Sequence, residues 1–169
     1  AVARLDRCWT ESHLAADAPA LSADWLAAQP PHALATLYLQ PHPAARWAWC
    51  AEHPAYALWS TQRDGLGTEG DMPWQGDGGL LTRPQGAVIW YPLPQAGAIF
   101  LDACARGACL EAAATEALKT WMDAMPTGIE GRRQMPQFNL TDEEYQDLAN
   151  FLIWTSKINT QGWPPNEAG

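Results

Sequence analysis

Lysine is nearly absent from this 169-residue chain: only Lys119 and Lys157 occur, and up to Leu118 every basic residue is arginine. Ten basic residues face 19 acidic ones, a formal net charge of -9. Affinity for nucleic acid rests on lysine and arginine displacing condensed counterions, so this balance argues against nucleic acid and against anionic membrane as partners. Long hydrophobic runs are also missing. The longest apolar stretch, Gly86 to Leu101, is broken by Pro92 and Pro94 and falls short of the roughly 20 residues of a spanning helix. The first residues lack the charged segment, apolar core and small-residue cleavage site of a signal peptide, so no membrane helix and no signal peptide is expected in this chain. Catalytic patterns are missing as well. Ser12 beside His13, and Ser60 near Asp64, have no glycine-flanked elbow, and Gly76-Asp77-Gly78-Gly79 has no lysine-serine after it to make a phosphate cradle.

What is present suits a folded chain, with 47% apolar and 17% charged residues. Ten tryptophans must each find a core, an interface or a ligand to lie against. The four cysteines, Cys8, Cys50, Cys104 and Cys109, do not make the dense framework of a disulfide-stapled domain. Cys104 and Cys109 are not spaced as a metal knuckle. Cys50 and His53, three apart and joined by His42, have the residue types of a zinc or copper site if the fold supplies a further ligand. The default reading of each histidine is a structural one.

Composition and periodicity both change near residue 107, which divides the chain into a mixed region of unknown role, residues 1–107, and a helical region, residues 108–169, with an extended Trp/Pro tail. The fold class read from this is α+β. Ser22 caps a helix to Gln29, stopped by Pro30-Pro31. The strand-like runs that follow are Ala33–Leu39, Arg46–Ala51, Ala55–Ser60, Ala87–Tyr91 and Ala98–Leu101, at spacings that suit an antiparallel sheet, with Asp64–Gly79 as a long loop. From Ala108 the spacing turns helical: Leu110, Ala114, Ala117, Leu118, Trp121 and Met122 share one face up to Met125-Pro126. Thr127–Leu140 is a glycine-bearing loop. Thr141 and Glu144 then form a capping box for a helix that buries Tyr145, Leu148, Phe151 and Leu152.

A helix, a glycine-bearing loop with a Met-Pro pair and a capped aromatic helix follow one another as in the second half of a class I cytochrome c domain. From about Leu118 to Gly169 the chain resembles the small cytochrome c subunit of bacterial nitric oxide reductase. The resemblance is carried by Thr120-Trp121-Met122, by Gly131-Arg132-Arg133-Gln134-Met135-Pro136-Gln137-Phe138-Asn139-Leu140, and by Trp154-Thr155-Ser156-Lys157-Ile158 with Trp163-Pro164-Pro165-Asn166. It implies cytochrome-c-like terminal helices and haem c as cofactor. Met135 would be the distal iron ligand through its thioether sulfur, with Arg132 and Arg133 pairing the haem propionates. The chain would then be a non-catalytic electron-transfer subunit of an oxidoreductase complex in denitrification. It would relay electrons from a soluble donor protein to the catalytic membrane subunit on the periplasmic side of the inner membrane, and Trp154–Pro165 would dock on that subunit.

The chain departs from this family where haem c is attached, because no Cys-x-x-Cys-His occurs. Counting back from Met135 leads to Pro84-Gln85-Gly86-Ala87-Val88, which offers neither sulfur nor imidazole. Two other readings therefore stand beside the relay. One is a haem-less interaction or binding module carrying the family's terminal helices, with Met135 only packing. The other is that residues 1 to about 115 are not the natural reading of the gene, or carry an alteration that removed the haem motif. The intact mass of the protein purified from its natural source tests the last: a mass different from the one this sequence gives is its expected signature.

Overall fold

A computed structural model describes residues 1–65, 72–124 and 138–155. Among them are seven helices and one three-stranded antiparallel sheet, a mixed α+β architecture. The helices are α1 (Val2–Leu14), α2 (Ala23–Ala27), α3 (Pro31–Ala35), α4 (Ala55–Arg63), α5 (Gln95–Ala105), α6 (Leu110–Ala124) and α7 (Asp142–Thr155). The strands β1 (Arg46–Cys50), β2 (Asp77–Thr82) and β3 (Ile89–Pro92) lie in the order β1-β2-β3, with Ala48 opposite Gly79 and Leu81 opposite Trp90.

Helix α1 is amphipathic, burying Leu5, Cys8 and Ser12 at the three- and four-residue spacing of one helical face. That face closes a core with Ala48, Ala55, Trp59, Leu81 and Val88. Polar contacts fix its far end. Ser12 Oγ donates to the Ala44 carbonyl at 2.6 Å, and Arg83 donates to the carbonyls of Ser12 and Ala15 at 3.2 and 2.5 Å. A guanidinium there satisfies orphan carbonyls at the negative end of the helix dipole. None of the sequence expectations covers α1, although Val2, Leu5, Cys8 and Ser12 carry its period; a cysteine and a serine among the inward positions conceal the stripe.

Several short elements correct the expectations. Ser22 caps α2, accepting from the Trp25 N–H at 3.1 Å, and β1 and β3 overlap two of the expected strands. Ala33–Leu39 is not a strand: it enters the end of α3, and only Tyr38 pairs, through an isolated bridge to Cys109. Ala55–Ser60 lies inside helix α4. The cause is distant in sequence, since both Asp77 carboxylate oxygens accept backbone N–H groups of its first turn, from Tyr56 and Ala57, at 2.8 Å. Ala98–Leu101 is likewise helical, in α5, with Pro94 at its N-cap.

The expected loop Asp64–Gly79 overlaps β2 at Asp77–Gly79. These glycines serve close approach, not turning. A Cβ on Gly78 would stand 2.7 Å from the Ala48 carbonyl oxygen, and one on Gly79 would collide with the Tyr56 ring. The largest fully buried side chain described is Trp59, 1% exposed. Its indole N–H donates to Asp6 at 2.8 Å and its ring meets Trp90 edge-on at 5.5 Å. Trp59→Ala is expected to lower unfolding stability by about 3–5 kcal/mol, read as a lower urea midpoint at unchanged denaturant slope.

Candidate functional site

The segment that resembles the reductase's cytochrome component begins inside α6, so its described part is the second half of α6 together with residues 138–155. Helices α6 and α7 form an antiparallel pair tied at both ends. Lys119 meets Asp142 at 2.5 Å at one end, and Asn150 donates to Glu111 at the other. The expected capping box is present: Thr141 N–H donates to Glu144 Oε2 at 2.7 Å, and Glu144 N–H donates to Thr141 Oγ1 at 3.2 Å. The Thr141 backbone N–H, and then its hydroxyl, hold the Glu144 carboxyl below its ordinary range, and the Lys119 ammonium does the same for Asp142.

The buried stripe of α7 is narrower than the apolar pattern suggests. Tyr145 and Ala149 are buried and Leu148 half-buried, whereas Phe151 and Leu152, expected inside, are 55% and 47% exposed. Trp154 is 46% exposed and tilts against Phe151, ring centroids 6.1 Å apart. On α6 the expected face holds at Met122, which is buried, while Trp121 is turned outward at 45%. The physical reason is that α6 gives part of its surface to α5: Ala103, Cys104 and Ala113 form a second core cluster with Leu39, Phe100 and Ala108 around it.

Met135, Arg132 and Arg133 lie outside the described residues. All four cysteines and all four histidines lie within them. They are scattered. Cys8 belongs to the core under the sheet and Cys104 to the cluster between α5 and α6, and burial pushes both thiols up. Cys50 is half-buried at the end of β1; Cys109 is half-buried beside the bridge to Tyr38. His42 has both ring nitrogens engaged, Nε2 with the Ala18 carbonyl at 2.8 Å and Nδ1 accepting from the Ala44 N–H at 3.1 Å. His53 stands near Glu52 at 3.8 Å and near the Trp74 ring, and His13 packs edge-on to Trp9. Cys50, His53 and His42 are therefore not gathered, and among the described residues no group of three or more His, Cys, Asp or Glu is placed to hold a metal.

The concavities among the described residues include two of a few hundred Å³. One of about 290 Å³ lies between α1, β1, β2 and α4 and is lined by Arg4, Leu5, Cys50, Tyr56 and Asp77 among others. The other, about 340 Å³, runs along α6 and α7 and is lined by Glu111, Thr115, Glu116, Lys119, Asp142 and Gln146. Four charged side chains, Glu111, Glu116, Lys119 and Asp142, line this second groove, and Glu116 is paired to Arg106 at 2.9 Å as well. The cysteines and histidines of this chain do not fit haem c, which takes two thiols with an imidazole directly beside the second.

This arrangement defines an α+β chain with a capped, ion-paired helical hairpin that carries outward aromatics. No protein-family model matches it. Part of it is similar to proteins named as the C subunit of nitric oxide reductase. The one from Paracoccus denitrificans is 70% identical over 56 residues, 33% of this chain and 37% of that protein. Those of Cereibacter sphaeroides and Stutzerimonas stutzeri are 63% identical over 57 residues and 58% over 52, covering 34% and 31% of this chain and 39% and 36% of theirs. The chain thus spans little more than a third of the length of the curated relatives it matches. The match to these proteins is partial and specific.

The capping box titrates on the acid side. A carboxyl held low in the folded state contributes stability that is present above its unfolded pKa and is lost as pH falls through the lower folded one. Acidification through the carboxylate range should therefore loosen α7, and Glu144→Gln should flatten that part of the stability-against-pH curve. Thr141→Ala should cost about 0.5–2 kcal/mol, read by urea unfolding at neutral pH.

Proposed function

We propose that the chain acts as a component of a nitric oxide reductase type complex, in the manner of the C subunit, docking through its terminal segment onto the catalytic membrane partner. The observation that carries this reading is 51–70% identity to proteins of that name over 52–57 residues, far more than a shared helical hairpin alone would give. Phe151, Leu152 and Trp154, all about half exposed at the end of α7, support it, because large aromatic side chains anchor interfaces. Among the described residues no helix is long and apolar enough to cross a membrane.

In its fuller form this role is an electron relay from a soluble donor protein, with Met135 as iron ligand and Arg132 and Arg133 at the propionates of haem c. A second reading, a haem-less interaction module with the same docking, is favoured by the scatter of cysteines and histidines described above. The two share a surface and differ in colour, since only the relay has a Soret band.

Co-production with the catalytic subunit in a denitrifying host tests the common part. The full chain should co-purify with that partner, and the double variant Phe151→Ala with Trp154→Ala should weaken the association tenfold or more if these rings are anchors, hot-spot truncations costing about 2 kcal/mol or more. Unchanged association of the double variant would remove the anchor role, and no association of the full chain would remove the proposal.

A further inference from the structure

We infer that this chain is a haem-free occupant of the place that the cytochrome component takes in the reductase, docking without relaying electrons; the inference rests on the docking reading above. Covalent attachment of haem c adds two cysteine thiols across the two vinyl groups of the porphyrin, and an imidazole beside the second thiol binds the iron. Both thiols and that imidazole must therefore be brought to one porphyrin in the folded protein. Cys8 and Cys104 are 7% and 3% exposed, each inside a different apolar cluster. The two half-buried cysteines, Cys50 and Cys109, belong to separate neighbourhoods, the end of β1 and the turn after α5. No pair is presented together.

Imidazoles are no better placed. No histidine follows His53 in the chain, and His42 has no free ring nitrogen. His32, on α3, is the histidine of the element packed against α6 and α7, and it is exposed. The inner surface of the hairpin is already covered by protein. Ala113 has no exposed area against Ala103 and Cys104, and Tyr145, Ala149 and Met122 are buried. The terminal helices are thus packed on α3 and α5.

The full chain, made in a host that matures c-type cytochromes, alone and together with the catalytic partner, tests this with three readouts. Intact mass after acid-acetone extraction reports covalent haem, the pyridine haemochrome spectrum before extraction reports any haem, and co-purification reports docking. The expected result is an unmodified mass, no haemochrome band, co-purification, and a complex that does not accept electrons from the soluble donor through this chain. A mass increased by one haem overturns the inference. So does a haemochrome band that is extractable and is abolished by Met135→Leu or His32→Ala, which would mark porphyrin held without thioethers. A haem-free chain that fails to co-purify leaves the haem assignment standing and overturns the docking reading on which occupancy depends.

Discussion

The contact on which this architecture turns is the meeting of α5 and α6 at Ala103, Cys104 and Ala113, where both alanines are without exposed surface. Small side chains let two helix backbones approach closely, and here they bind the sheet-bearing part of the chain to the terminal hairpin. Helix α5 faces both ways. Its Asp102 accepts from the Trp47 indole of β1 at 2.9 Å, while Arg106, just past its last turn, donates to Glu116 of α6. A larger residue at Ala103 or Ala113 would push apart two regions that share little else in sequence character.

How far the sequence discloses this depends on whether the deciding interaction is local. The α7 cap is legible because Thr141 and Glu144 sit three apart and answer each other's backbone. The Ser22 cap is legible for the same reason. Helix α4 is not, because the carboxylate that receives its first-turn N–H groups is Asp77, about 20 residues downstream at the start of β2. Nor is β2, whose glycines look like turn residues until the Tyr56 ring is found against them. At the candidate site the family words are plain from Leu118 onward, whereas the outward turn of Phe151 and Leu152 depends on α6 packing partly on α5, which no spacing within α7 reveals.

The resemblance starts partway along α6, yet the helix runs unbroken from Leu110 to Ala124. The ion pair between Lys119 and Asp142 links one side of the hairpin to the other. Retaining the hairpin needs only its cap, its ion pairs and a small-residue seam. Retaining electron transfer would need a cofactor pocket, and those requirements are independent of each other. A chain can therefore inherit the shape of a docking element while lacking the apparatus that the element served.

The separation of the two buried thiols has a further result for manufacture in the cell. Cys8 and Cys104 are enclosed in different cores, and burial keeps each in its protonated, unreactive form. Neither meets a partner sulfur or an oxidant once the chain has folded. Oxidising conditions would then threaten these two thiols only before the cores close, so for them the speed of folding, not the final arrangement, sets the yield of correctly unlinked molecules.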